Sequence, residues 1–293
     1  MYMYMEQPKT LIGKNNYLFL INDSSQELNI HCNNLNLVNN ETFQRYKFKN
    51  FLLIVFPDKS LLYKKYLPDK FKIQFRPGLD AYMKVLTDKL LDTYDILKNE
   101  EDVYYKTDTH INIKGSYIVY KQFIQKLNEM YQLDIAPKEC VILNKQCILS
   151  SLQLGIGDLL WECNLGNQCV EDCIDSFYYS DNIDYIYCKH KIQKDGSIRL
   201  LTKDTLIDEN DILHNTILSW DILSKYILYK KNITCNNKLK VLIFYDSFLT
   251  STLSLYLELF NEVYMIKDIY NNYIINIINP NFVFEFRVER FLS

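Results

Sequence analysis

Glycine and proline are scarce in this chain, 7 and 6 of 293 residues, while Asn, Ile, Lys and Tyr are abundant. That balance is the mark of an AT-rich genome, so the low glycine count carries little information about fold. An excess of basic charge is also missing: the formal net charge is -3 and the pI is about 5.9. With no basic face to balance phosphates, a general nucleic-acid binder is excluded, and Lys64-Lys65 and Lys230-Lys231 read as solvated surface. No run approaches the ~18 consecutive apolar residues of a membrane-spanning helix. The opening MYMYMEQPKT lacks the basic and then apolar regions of an export signal. A soluble, unexported, cytoplasmic protein is therefore expected, with its 8 cysteines reduced. Cys163, Cys169, Cys173 and Cys188, near His190, form neither CxxC pairs nor a finger spacing. They are read as small core residues, and no metal is expected.

What the chain does have is apolar content, 48%, enough for a large core. The organisation expected is an α/β core in two parts, residues 1–139 and 238–293, separated by a β-containing insertion or cap over 140–237. Strands are expected at 17–21 and 51–56, the second continuously apolar as in a parallel sheet covered on both faces. Residues 28–49 have little periodicity and are assigned to connection. A short helix is expected over 61–67, a long amphipathic one over 79–97 and another over 116–131. Within the insertion, 184–188 and 198–201 are β-prone around a turn at Asp195-Gly196, and 211–229, which holds His214, is expected to be helical. The C-terminal part alternates strand and helix: 241–245, a helix whose face carries Leu249, Leu253, Tyr256 and Phe260, then 262–266, 269–278 and 281–288. That is the pattern of a doubly wound parallel sheet.

The stretch with the most chemical content is Lys240 to Leu259, KVLIFYDSFLTSTLSLYLEL. A serine between a buried strand and a helix stands at the carboxyl edge of the sheet, where its backbone N–H and the helix N-terminus face any negative charge forming beside it. Ser247 is thus a candidate nucleophile; the other reading is that Asp246 or Ser247 only caps the helix. A serine hydroxyl needs an imidazole to take its proton and return it to a leaving group, and the imidazole needs a carboxylate on its other nitrogen. Of the four histidines, His110 has an acid close by, in Asp108-Thr109-His110, just before a helix. The spacing permits a pair without proving one, and a loop histidine can equally be a surface or capped residue.

Taken in order, the motifs resemble the alginate O-acetyltransferase branch of the SGNH-hydrolase-like superfamily. The likeness runs through Gly13-Lys14 with Leu18-Phe19-Leu20 and Asn22-Asp23, then Pro57-Asp58-Lys59-Ser60 with Tyr63 and Tyr66-Leu67-Pro68. It continues with Tyr104-Tyr105-Lys106-Thr107-Asp108-Thr109-His110, Asn112 and Gly115, then Gly157-Asp158-Leu159, Asp246-Ser247-Phe248, Pro280-Asn281 and Val288-Glu289-Arg290. The resemblance implies a flavodoxin-like three-layer α/β/α fold in which the Asp/His pair precedes the nucleophile. It implies Ser247 as nucleophile, His110 as general base and acid and Asp108 as its orienter. Three positions depart from the family pattern: Ile111 stands where Trp is usual, Tyr245 where a small residue is, and Asn281 where Asp is.

The function so implied is transfer of acetyl groups to hydroxyls of a cell-surface polysaccharide or its precursor through an acetyl-Ser247 intermediate. No cofactor is expected to be bound. An acetyl donor is required, acetyl-CoA being the soluble one for a cytoplasmic setting, and the partners expected are a carbohydrate acceptor and proteins of polysaccharide biosynthesis. The alternatives are a carbohydrate acetyl esterase on the same three residues and a non-catalytic glycan-binding subunit. The Ser247 N–H is the first oxyanion donor; Asn271, Asn272, Tyr273 and Tyr105 are candidates for the second donor or for substrate contact, although the asparagine pair also suits a helix N-terminus. Arg290 is read as a structural ion-pair residue and Asp158 as a turn-stabilising one.

Overall fold

The computed structural model describes residues 8–138, 141–146, 158–161, 173–178, 185–192, 198–204, 226–232 and 235–292. An N-terminal hairpin, β1 (Thr10–Ile12) and β2 (Leu18–Leu20), leads to β3 (Phe51–Phe56) and β4 (Leu90–Asp92). The middle of the chain contributes β5 (Val141–Gln146), β6 (Cys173–Tyr178), β7 (Tyr185–Ile192), β8 (Ile198–Asp204) and β9 (Tyr226–Asn232). The last part gives β10 (Lys240–Tyr245), β11 (Glu262–Ile266) and β12 (Phe282–Val288). The main sheet runs β4-β3-β12-β10-β11-β9-β7-β8. Its first five strands are parallel, and β9, β7 and β8 extend it antiparallel from the β11 edge.

The central strands are buried from end to end because both faces are covered. On one face Leu52, Ile54, Phe56, Ile243, Tyr245, Phe284 and Phe286 pack against the helix Ile113–Tyr131 through Tyr120, Phe123 and Leu127. On the other, Phe51, Leu53, Val55, Leu242 and Phe244 meet the helices Pro77–Leu86 and Asn272–Ile278. This is the three-layer α/β/α arrangement expected. The charged pair inside β12 is satisfied locally: Arg287 Nε donates to Glu285 at 2.9 Å and its guanidinium also to the Asp268 carbonyl, and Glu285 accepts the backbone N–H of Tyr270. No described helix is long and apolar enough to cross a membrane.

Several local expectations are corrected. The amphipathic pattern over 79–97 is not one helix: Pro77–Leu86 ends where Thr87 takes a positive φ of 46°, and Leu90–Asp92 turns into the edge strand β4 on β3. Backbone pairing at the sheet edge outweighs helical periodicity there. Residues 28–49 hold a helix, Glu27–Asn33, whose buried face is short and mixed, including Glu27 and His31. After Ser247 the chain makes a 3₁₀ segment, Ser247–Thr252, before the short α-helix Leu253–Leu257, so no long helix dipole stands behind the serine. The helix expected over 211–229 gives way at its end, since Tyr226–Tyr229 belong to β9; residues 211–225, with His214, lie outside the described residues. So do Cys163, Cys169 and the turn at Asp195-Gly196.

Candidate active site

The site is built on the carboxyl ends of β10 and β12. Asp246, next after β10, is almost wholly buried and bonds in two directions. Oδ1 accepts the N–H of Phe248 at 2.9 Å, capping the 3₁₀ segment, and Oδ2 accepts the N–H of Val288 at the end of β12 at 2.7 Å. Burial pushes its carboxyl above the usual range, against the pull of Arg287 and of those two N–H groups. The capping reading therefore fits Asp246, and by fixing the turn Asp246 directs Ser247 outward.

Facing it is the loop between Tyr104 and Asn112. Tyr104 and Ile111 pair across it, and the Tyr105 N–H reaches the His110 carbonyl at 3.3 Å. The loop enters the long helix at Asn112, whose side chain accepts the Gly115 N–H at 2.9 Å. Gly115 is required by packing: a Cβ there would lie 2.5 Å from the Val103 carbonyl oxygen and 2.6 Å from the Ile111 side chain. A buried cation pins the loop from below. Lys59, 2% exposed, donates to the carbonyls of Leu18, Lys106 and Asp108 at 2.7, 2.8 and 2.9 Å.

This loop brings three residues separated in sequence into one hydrogen-bonded line. His110 Nε2 is 2.9 Å from Ser247 Oγ, and His110 Nδ1 is 2.6 Å from Asp108 Oδ1, which also accepts the His110 backbone N–H at 2.8 Å. Burial alone would lower the imidazole pKa; the hydrogen bond and charge of Asp108, helped by Asp158, outweigh it and hold His110 above its ordinary value. Asp108 responds in the opposite sense. Burial favours its neutral form, but the contacts to His110 and the N–H of Asp158 bring it down to about 2. The side chains of His110 and Asp108 remain 29% and 22% exposed, so the line opens to solvent. Phe248 lies beside the imidazole, ring centroids 5.0 Å apart, and supplies the aromatic wall absent at Ile111, which is itself buried in the core.

The remaining expected residues fall in two groups. Tyr105 is in the His110 loop. Asn271, Asn272 and Tyr273 start the helix on the opposite face of the sheet. Asn271 Oδ1 caps that helix by accepting from Tyr273 and Ile274, and Asn272 Nδ2 donates to the Arg45 carbonyl. The Asn271 side chain is thus used as the helix cap, the alternative named for it, and the Asn272 side chain as a tie to Arg45. Asn281 sits at the other edge of the sheet, where its side chain accepts the Lys240 N–H. Arg290 is buried and donates to Asp58 at 2.6 Å, with Glu27 at 3.4 Å and the Phe248 ring 5.2 Å from its guanidinium.

Two residues at the site were not assigned to it from sequence. Lys59 was visible within Pro57-Asp58-Lys59-Ser60, but nothing in that motif says that its ammonium ends under Asp108. Asp158, read as a turn residue, bonds Thr109 through both carboxylate oxygens, to the backbone N–H at 2.8 Å and to Oγ1 at 2.5 Å. Asp108, His110 and Asp158 present donor atoms within 4.8 Å of one another, as a metal would require. Both ring nitrogens of His110 are already engaged, by Asp108 and by Ser247.

No family model matches the sequence, and no curated protein matches it. Solved structures do. Bacillus cereus PatB1 is similar over 97% of both chains, with a TM-score of 0.62 at 15% identity. A DHHW family protein from Eubacterium siraeum DSM 15702 matches over 96% of this chain and 94% of its own, with a TM-score of 0.59 at 16% identity. The O-acetyltransferase domain of Pseudomonas putida AlgJ matches over 98% and 92%, with a TM-score of 0.51 at 13% identity. At such identities the likeness is one of fold, and it extends over nearly the whole of each chain: the protein has the three-layer architecture of these three structures.

Proposed function

We propose that the protein is a serine-dependent O-acetyltransferase acting on a carbohydrate hydroxyl, with Ser247 as nucleophile, His110 as general base and acid and Asp108 as orienter of the imidazole. The observation that carries this reading is the continuous line from the Asp108 carboxylate through both nitrogens of His110 to the Ser247 hydroxyl. Asp108 fixes the proton on Nδ1 and leaves Nε2 as the acceptor. Ser247 Oγ attacks the acetyl carbonyl of the donor while Nε2 takes its proton. The tetrahedral intermediate collapses, its leaving group takes the proton from Nε2, and acetyl-Ser247 remains. An acceptor hydroxyl then attacks the ester carbonyl and gives its proton to Nε2, and Ser247 recovers a proton as the acetylated sugar departs. The likeness in fold to an O-acetyltransferase domain supports the choice of acyl group, and a soluble thioester of the acetyl-CoA kind is the proposed donor.

The opening of the His110–Asp108 pair to solvent favours a second reading, an acetyl esterase in which water replaces the sugar hydroxyl. One assay addresses both. With p-nitrophenyl acetate, Ser247→Ala should lose activity by on the order of 10³-fold or more, and turnover unaffected by the substitution would remove Ser247 from the chemistry. Because His110 must be neutral to act and its pKa is raised, kcat should rise with pH through a value above the ordinary 6.5. With oligosaccharide acceptors present, acetylated sugar in the mass spectrum supports transfer, and free acetate alone supports the esterase.

A further inference from the structure

The reaction as written makes no use of Asp158, and its carboxylate is placed too close to the imidazole to be a bystander. Asp158 opens the short helix Asp158–Trp161 and reaches the site from a distant part of the chain. Its own N–H donates to Asp108 Oδ2 at 3.0 Å, and its two carboxylate oxygens hold both the N–H and the hydroxyl of Thr109, the residue between Asp108 and His110. Asp158 Oδ2 is then 3.6 Å from His110 Nδ1, against 2.6 Å for Asp108 Oδ1. We propose that Asp158 is a positioning residue for His110, a second carboxylate that locks the Asp108-Thr109-His110 turn and adds counter-charge to the imidazolium formed during turnover. The inference rests on the reading of His110 as general base.

Two carboxylates on one side of an imidazole stabilise its charged form more than one does, and the stabilisation appears when the Ser247 proton arrives. Among the described residues, Arg290, beyond the end of β12, opposes both acids, and the Lys59 ammonium lies against the Asp108 carbonyl. Ser247 is neutral. A purely structural Asp158 would hold Thr109 equally well as an asparagine, with Oδ1 accepting the N–H and Nδ2 donating to Oγ1. Asp158→Asn therefore deletes the charge and keeps the tether, which separates the two roles.

With p-nitrophenyl acetate, Asp158→Asn should lower kcat by about tenfold with KM unchanged. It should also move the acid limb of the pH–kcat profile downward, because removing a nearby negative charge makes the imidazolium easier to deprotonate. Asp108→Asn should retain residual activity supported by Asp158, and the double variant should fall below it, toward Ser247→Ala. An acid limb at the wild-type position in Asp158→Asn, or a double variant no slower than Asp108→Asn, would overturn the proposal. Titration of the His110 ring by NMR in a Ser247→Ala background gives a readout independent of turnover. There Asp158→Asn should lower the His110 pKa, and an unchanged titration would overturn the counter-charge role even if Ser247 proved not to be the nucleophile. If Asp158→Asn does not fold, Thr109→Val cuts the hydroxyl tether alone and should shift the limb in the same direction by less; no shift would count against the proposal.

Discussion

His31 and His110 each have a ring nitrogen close to an aspartate, 2.9 Å from Asp58 in one case and 2.6 Å from Asp108 in the other, yet the second nitrogen of each ring faces a different world. In His31 it points at the carbonyl oxygen of Phe75 at 2.9 Å, a group that can only accept, so both ring nitrogens must carry protons. In His110 it points at the Ser247 hydroxyl, which can donate as well as accept. His31 and Asp58 are completely buried, joined there by Arg290 and Glu27. Burial would lower the His31 pKa, but Asp58 outweighs it and raises the value to about 9. The first pair is fixed as an ion and the second is open to proton exchange. What distinguishes the ion-locked His–Asp pair from the one proposed to be catalytic is the donor or acceptor character of the third group, more than the distance between the two.

The comparison is broken most directly by making the same substitution in each pair. His110→Gln should lower turnover of an acetyl ester by on the order of 10³-fold or more while leaving thermal unfolding near wild type. His31→Gln should do the reverse, with kcat nearly retained and stability reduced. A His110 variant with full turnover, or a His31 variant that is stable but dead, would exchange the two assignments.

Arg290 gives the next largest effect. It is the cation shared by Asp58 and Glu27 in the interior, and removing one partner of a buried ion group leaves uncompensated charge behind. Arg290→Met should destabilise the protein by about 3–5 kcal/mol, read as a lowered urea midpoint. The folded fraction should still turn over ester, because Arg290 touches the Phe248 ring and reaches His110 by charge alone. Its loss should move the acid limb of the pH profile upward without removing any group from the hydrogen-bonded line. Wild-type stability in this variant would mean that the cluster is held by packing alone.

The buried cluster also sets a pH window. A histidine whose folded pKa is raised contributes stability that is complete below about 6.5 and is lost as pH rises through about 9. The contribution is at most about 3 kcal/mol, shared with Asp58. Glu27 and Glu289 act in the same sense at lower pH. Burial raises each to about 7, against the pull of Arg290 on Glu27 and of Arg76 on Glu289, so their ionisation costs stability between about pH 4.5 and 7. Asp58 is held below its ordinary value by Arg290 and His31 despite burial, so it opposes them only in acid. Unfolding free energy measured by urea should therefore decline from pH 6.5 to 9, and His31→Gln should remove most of that decline, leaving the part that His110, also raised, contributes. A variant retaining the full decline would place the titration elsewhere.

How much of this was legible in sequence follows the range over which each signal acts. The strand 51–56 agrees with the structure residue for residue because burial on both faces writes itself as a continuous apolar run; 262–266 agrees too, although Glu262 and Tyr264 are only half-buried. Asp108 and His110 stood two apart, so their pairing could be posed from sequence; Asp58 and His31 are 27 apart and nothing local marks them. Leu90–Asp92 carries helical periodicity and is a strand because a parallel neighbour is available, a tertiary fact. The serine turn was legible as a turn, but the 3₁₀ segment after it was not, since it depends on Asp246 tying the chain to Val288 across β12.

Asn112 sharpens the comparison at its weakest point, where stability and site meet within two residues of His110. Its Oδ1 caps the long helix at the Gly115 N–H and its Nδ2 donates to the Asp102 carbonyl at 2.6 Å, so it closes the loop that carries Asp108 and His110. Loss of such a cap costs about 1 kcal/mol, and Asn112→Ala should lower the melting temperature by ~2–4 °C. Lys59, with its three carbonyl bonds, still pins the Asp108 end of the loop. The His110–Ser247 contact should therefore survive and kcat should change little. A large fall in kcat with a small fall in stability would mean that the imidazole is aimed by the helix start rather than by the Lys59 anchor.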